Sequence, residues 1–87
     1  MRYTQNKDVA WRMVDQEAIL VEPTTSLVVG LSTTGALLWE FLENPHTVNE
    51  MVDLLQQNFS EQPRAQLESD AKIFVDELMR ESLIVCP

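Results

Sequence analysis

Few residues of this chain have side chains that do chemistry, and their spacing does not favour catalysis. The 87 residues include one histidine, His46, and one cysteine, Cys86. A catalytic triad needs a histidine beside its nucleophile, and a zinc site needs several cysteine or histidine ligands at short spacing. His46 follows Pro45 in a polar loop, and Cys86 is the penultimate residue. The sequence therefore predicts no enzyme, no metal site and no cofactor.

Two other motifs resemble reactive sites but have simpler structural explanations. Asp76 and Glu77 could form an acid/base pair. Basic residues stand nearby at helical spacing, at 72 and 80, so an ion-paired, solvated helix face is the expected arrangement. The stretch GLSTTG at 30–35 resembles a phosphate-binding loop but lacks the lysine that such loops use. Its first glycine is expected to relieve crowding in a strand, and its second to let a helix lie close to the sheet.

The charge of the chain limits the partners that it can bind. Six basic and 14 acidic side chains give a formal charge of −8 at pH 7. Nucleic-acid binding depends on lysine and arginine that neutralise phosphates, so neither DNA nor an anionic membrane surface is an expected partner. No apolar run reaches the roughly 20 residues of a membrane helix, and no signal peptide is recognisable, so we expect a cytoplasmic protein.

Apolar periodicity in the first half of the chain predicts a small sheet. The polar residues 1–8 are expected to be a flexible N-terminus, and residues 9–87 a single domain. Alternating apolar residues predict three strands over 9–14, 17–22 and 27–31. Tight turns join these strands, which indicates an antiparallel meander.

Helical periodicity in the second half predicts three helices. The first covers 33–42, with Ser32 or Thr33 as its N-cap. The second opens with TVNE, in which Thr47 and Glu50 have the spacing of a capping box. The third covers 64–81, and the final LIVCP is expected to be extended and packed on the core. Strands followed by helices indicate an α+β fold.

The order and spacing of these motifs resemble the PqqD-like family, whose members are small domains that recognise the precursors of ribosomally synthesised and post-translationally modified peptides (RiPPs). Members typically show a strand ending in LN-x-T-G, an IWELL helix, a T-x-x-E cap followed by L-x-x-x-Y/F, and a final D-V-x-x-F-L-x-x-L-x-x-x-G-L-I. The matching parts are LSTTG, LWEFL, TVNE, Leu55 with Phe59, and Asp70, Phe74, Val75, Leu78, Leu83 and Ile84. The resemblance extends from about Val9 to Val85, nearly the whole chain.

Two positions depart from the family pattern. Ser32 stands where asparagine is usual, and it is expected to remain a good cap for the first helix. Ser82 replaces the usual glycine before the last LI, so we expect the end of the third helix to be shaped differently.

The resemblance implies both a fold and a function. The fold is α+β and winged helix-turn-helix-like, with a three-stranded antiparallel sheet followed by three helices. The function is that of a non-catalytic recognition module, which binds the leader of a precursor peptide and presents it to a separate maturation enzyme. That enzyme would be a leader peptidase of a lasso-peptide pathway or a radical-SAM protein, and the module would be a monomer or a weak homodimer.

A strand edge beside the third helix is the expected peptide-binding site. An edge strand exposes unpaired backbone groups with which an extended peptide can pair. Ile73 lies off the apolar stripe of the third helix, so it has less reason to be core and is expected to form the floor of the site with Phe74. The opposite flank, with Lys72, Val75 and Met79, stays an alternative. The expected peptide-binding residues are Ser26, Leu27, Val28, Val29, Gly30, Leu31, Asp70, Ile73, Phe74 and Glu77.

Two other functions remain open at this point. A winged-helix DNA-binding regulator would share the helix order, but its recognition helix should be basic, whereas TVNEMVDLLQQNF contains no lysine or arginine. A docking subunit of an enzyme complex would bind a folded protein through the same sheet edge, rather than a peptide.

Overall fold

The chain forms five strands and three helices, and the computed structural model describes all 87 residues. The strands are β1 (Thr4–Gln5), β2 (Ala10–Val14), β3 (Glu17–Glu22), β4 (Leu27–Leu31) and β5 (Ile84–Val85). The helices are α1 (Thr33–Phe41), α2 (Val48–Asn58) and α3 (Arg64–Arg80). A three-stranded sheet therefore precedes three helices, which confirms the predicted α+β class.

The main sheet is the predicted antiparallel meander, with its strands in the order β2-β3-β4. Side chains alternate between the two faces along β3. Ala18 and Leu20 are completely buried, whereas Ile19 and Val21 lie on the exposed face. Because β3 is the central strand, β2 and β4 are the two edges of the sheet.

The turn between β3 and β4 is fixed by a carboxylate. Oε2 of Glu22 accepts hydrogen bonds from the backbone N–H of Thr25, at 2.8 Å, and from its hydroxyl, at 3.0 Å. The backbone bond is the main reason why the pKa of Glu22 lies below its ordinary value of 4.5. Ionised Glu22 therefore stabilises the turn that leads into β4.

The starts of the first two helices differ in how they are capped. At α2 the predicted capping box forms: Thr47 Oγ1 accepts from the N–H of Glu50 at 3.1 Å, and Glu50 Oε1 accepts from the N–H of Thr47 at 2.8 Å. This second bond is the largest contribution lowering the pKa of Glu50, and the charge of Arg2 lowers it further. At α1, Ser32 occupies the N-cap position, but its side chain makes no capping hydrogen bond. The predicted N-cap position of Ser32 is therefore confirmed, but the side-chain hydrogen bond expected of a good cap is absent.

The helices cover one face of the sheet and enclose a single core of 17 buried apolar residues. Trp39 of α1 is the largest of them and is completely buried. The ring of Trp11, on β2, meets it edge to face, with centroids 6.0 Å apart and planes at 84°. α1 packs on β3, and α2 packs on α3. The core that these helices share fixes the position of α3 relative to the sheet.

The N-terminus is packed, in contrast to the flexible segment predicted for residues 1–8. β1 pairs antiparallel with β5, which also confirms that the last residues return to the core. Thr4 Oγ1 donates to the carbonyl of Leu42, and Gln5 Nε2 donates to the carbonyl of Trp39, both at 2.8 Å. Both polar side chains are buried, and their hydrogen bonds offset the loss of water.

α3 ends in a Schellman motif. The N–H of Ser82 donates to the carbonyl of Met79 at 3.1 Å, and the N–H of Leu83 donates to that of Leu78 at 2.9 Å. Ser82 has a φ of 58°, in the left-handed region that glycine adopts at lower cost. The helix thus ends as it would with glycine, contrary to the predicted difference in shape.

Candidate functional site

Strand β4 is an edge of the sheet that pairs with β3 alone. Backbone N–H and C=O groups on its other side therefore have no strand partner. The five residues LVVGL include no charge and no proline, which are the usual means of blocking an edge. Val28 and Gly30 lie on the exposed face of the sheet, and the other three residues are half-buried toward the helices. β4 is open to a further strand.

A groove of about 380 Å³ lies beside this edge, between the end of β4, the start of α1 and α3. Its lining comes from segments that are far apart in the sequence. The predicted binding residues that line it are Gly30, Leu31, Asp70, Ile73, Phe74 and Glu77. The structure therefore places the predicted flank of α3 next to the end of the predicted strand.

The other predicted residues lie outside the groove. Residues 27–29 precede it along β4, and Ser26 lies in the preceding turn with a φ of 59°. The alternative flank of α3 does not line the groove. Its member Val75 is buried, and Lys72 and Met79 are exposed elsewhere on the helix.

The floor of the groove is apolar and only partly covered. Phe74 is 8% exposed and belongs to the core, whereas Ile73 is 53% exposed. Covering the exposed half of an isoleucine side chain stabilises a complex by roughly 1 kcal/mol. An apolar side chain placed against Ile73 would therefore be held by burial that the free chain lacks.

One wall of the groove comes from α1 and was missed by the sequence prediction. Ser32, Thr34, Gly35 and Leu38 line it. A Cβ at Gly35 would lie 3.3 Å from the Cβ of Leu31, which confirms that this glycine lets the helix approach the sheet. A single residue separates β4 from α1. That short connection was the available signal, because it places the first helical turn at the end of the strand edge.

Both charged residues of the groove are acidic. Asp70 Oδ1 accepts a hydrogen bond from Gln66 Nε2 at 2.9 Å, and Glu77 takes part in none of the four ion pairs of the chain. Asp76, Lys72 and the arginine at 80 take part in none of them either. The predicted ion-paired face is therefore solvated but unpaired, because exposed pairs of this kind gain little over separate hydration.

A larger cavity of about 530 Å³ lies between the β2–β3 turn, α1 and the end of α2. Its lining is mixed, with apolar residues beside Asp15, Gln16 and Glu40, and it contains no histidine, cysteine or basic residue. It meets the edge strand β2 only at Met13. This cavity therefore combines neither reactive groups nor an accessible strand edge.

The single histidine has a structural role. Its ring stacks on that of Phe41 with centroids 3.7 Å apart and planes at 9°. Nδ1 of His46 lies 3.4 Å from Oε1 of Glu50, next to the α2 cap. No group of three or more histidine, cysteine or acidic side chains could hold a metal ion. None of the three helices has the length and apolar character that crossing a membrane requires.

Comparison with known proteins identifies the family of the chain and structures that share its fold. No curated protein matches the chain. The solved structure of TbiB1 in complex with the TbiA(beta) leader peptide is 26% identical, covers 93% of each chain and superposes with a TM-score of 0.84. A lasso peptide synthetase B1 complexed with the leader peptide shares the fold, with 16% identity, coverage of 99% of this chain and 100% of that chain, and a TM-score of 0.82. The family described as Coenzyme PQQ synthesis protein D (PqqD) matches residues 17–84, so the chain belongs to the PqqD family, as its motifs indicated.

Proposed function

We propose that this chain is a non-catalytic recognition module of RiPP biosynthesis, which binds the leader of a precursor peptide. One observation carries the proposal: the open edge of β4 borders a groove with an apolar floor. The fold is that of a 26% identical protein whose structure contains a leader peptide. An unpaired edge beside a groove is the arrangement to which extended peptides bind.

The leader adds to β4 as a fourth strand. Its backbone pairs with the free N–H and C=O groups of residues 26–31, which gives affinity with little dependence on sequence. Alternate side chains of an added strand point to opposite faces of the sheet. Those that point toward α3 cover Ile73 and fill the groove, and their shape selects the leader.

A separate maturation enzyme supplies the chemistry. The module holds the leader, and the rest of the precursor extends from the groove to the active site of the enzyme. The partner is a leader peptidase of a lasso-peptide pathway or a radical-SAM protein. The gene that lies next to the precursor gene would distinguish these two enzyme classes.

Amide NMR tests the proposal directly. The ¹⁵N-labelled chain is titrated with the leader peptide encoded beside its gene, and a scrambled peptide of the same composition serves as the control. Strand addition shifts the amides of β4 and of the groove side of α3, and leaves those of α2 in place. If saturating leader moves no amide of β4 or α3, the chain is not a recognition module for that precursor.

The outer face of the sheet favours a second role, docking on an enzyme. Four apolar side chains there are at least 36% exposed: Val14, Ile19, Val21 and Val28. Contiguous apolar patches of this kind mark interaction surfaces. Size-exclusion chromatography with the neighbouring enzyme separates the roles. A docking subunit forms a complex with the enzyme in the absence of leader. A chain that acts only as a recognition module joins the enzyme only when leader is present.

A further inference from the structure

The charge of the groove has one sign. Asp70 and Glu77 are the only charged residues among the ten that line it. They stand seven positions apart on α3, two helical turns or about 10 Å along the axis. The apolar floor formed by Ile73 and Phe74 lies between them.

Neither carboxylate is neutralised by the chain itself. The side chain of Asp70 has a neutral amide, Gln66, as its hydrogen-bond partner. Glu77 is exposed and has no ion-pair partner. The basic residues of this stretch of α3, Lys72 and Arg80, do not line the groove. A peptide seated against the floor would therefore take both carboxylates partly out of water, which is costly unless the peptide brings positive charge.

From this arrangement we infer that the leader segment in the groove is cationic, with lysine or arginine on one or both sides of the apolar residue that covers Ile73. The inference rests on the proposed function and specifies the chemistry of the peptide. A net charge of −8 on the chain adds long-range attraction for such a segment. The groove thus selects by charge as well as by shape, and an acidic leader is rejected by repulsion.

Asp76 separates this specific effect from the general acidity of the chain. It is adjacent to Glu77, exposed on the same helix and absent from the groove. Asp76→Asn changes the net charge as Glu77→Gln does, but it leaves the groove intact. An attraction that arises from overall charge would weaken equally in both variants.

The test measures the dissociation constant of the same genome-encoded leader peptide by fluorescence anisotropy for four variants: Asp70→Asn, Glu77→Gln, the double substitution and Asp76→Asn. Each groove variant is expected to weaken binding roughly two- to fivefold and the double variant roughly tenfold. Asp76→Asn is expected to change it by less than about 1.5-fold. Replacing the basic residues of the leader segment by glutamine should remove the difference between wild type and the double variant.

Three outcomes decide the matter. A loss confined to the groove variants supports the inference. The inference is wrong, and the proposed function stands, if the leader shifts the β4 amides but the groove variants bind it no more weakly than Asp76→Asn does. The same holds if the groove variants bind the leader more tightly than the wild type. If the leader shifts no amide of β4 or α3, the proposed function fails, and the inference fails with it.

Discussion

The two edge strands of the main sheet differ in the residue that each places opposite Ile19 of the central strand. Ile19 of β3 lies between Arg12 on β2 and Gly30 on β4, all on the exposed face. A charged side chain on an edge strand opposes the approach of another strand. Gly30 offers no such obstacle, and only the edge that contains it runs into the groove beside α3.

Packing within the free chain does not explain the glycine at position 30. A Cβ at Gly30 would have no atom within 4 Å, so the prediction that this glycine relieves crowding is wrong. Its φ also lies outside the left-handed region that favours glycine. Glycine within a strand costs roughly 0.5–1 kcal/mol relative to alanine. The fold of the free chain therefore does not need glycine at this position. The missing side chain of Gly30 has an effect only when another strand lies against the edge.

Hydrogen exchange provides the strongest test of the contrast between edges. With leader at 100 times its dissociation constant, the outward amides of β4 should exchange about 100-fold more slowly. The outward amides of β2 should exchange at an unchanged rate, because no strand adds there. Exchange is followed by NMR with and without leader. Equal protection of both edges would show general stabilisation rather than strand addition.

A substitution in the floor of the groove should have the next largest effect. Ile73→Asp is expected to weaken leader binding roughly 30-fold, as for a central interface residue, since it replaces an apolar contact by a charge. The fold should survive because Ile73 is 53% exposed. Met79→Asp is the matched control on the opposite flank, where Met79 is 40% exposed. Calorimetric titration of both variants with leader measures the two affinities. An equal loss of affinity in both variants would show that the groove is not part of the binding site.

Exchanging the two edge residues tests the contrast by itself. Gly30→Arg should reduce leader affinity roughly tenfold, because it gives β4 the charged side chain that protects β2. Arg12→Gly should leave the affinity unchanged. In thermal unfolding, Gly30→Ala should raise the free energy of unfolding by roughly 0.5–1 kcal/mol. Full affinity in Gly30→Arg would contradict the role given to the bare edge.

Lowering the pH should loosen the β3–β4 hairpin before the β2–β3 hairpin. This is the smallest of the expected effects. The pKa of Glu22 lies below its ordinary value of 4.5, mainly because of the Thr25 backbone bond. A lowered folded-state pKa means that the bond stabilises the turn fully above about pH 4.5 and that this contribution is lost as pH falls through the folded pKa. Amide exchange at residues 24–26 of the turn, measured between pH 6 and 3, should show this loss. Glu22→Gln should abolish it, whereas the control Glu17→Gln should retain it.

Predictions from the sequence succeeded where the signal was local. Apolar alternation located β2 to β4, and the capping box located the start of α2, because each depends on residues a few positions apart. The pairing of β1 with β5 joins two dipeptides from opposite ends of the chain, with Thr4 opposite Val85, and no periodicity marks so short a pair. The left-handed Ser82 was missed for another reason, since the backbone tolerates serine where glycine is usual.

The candidate site was predictable in part for the same reason. Ile73 stood out because it breaks a local helical stripe, and the edge strand followed from the meander. The wall that α1 contributes, through residues such as Leu38, depends on how α1 and α3 meet in three dimensions. That meeting is set by the shared core around Trp39, and no short stretch of sequence encodes it.

The ribbon of β1 and β5 has a consequence for protein engineering. Because Thr4 lies opposite Val85, positions near the two chain ends are neighbours, about 5 Å apart. None of the ribbon's residues lines the groove. A short linker could therefore join the ends, and new ends could be opened in the exposed 60–63 loop. Such a circular permutant would carry a fused reporter at its new ends with the groove unobstructed.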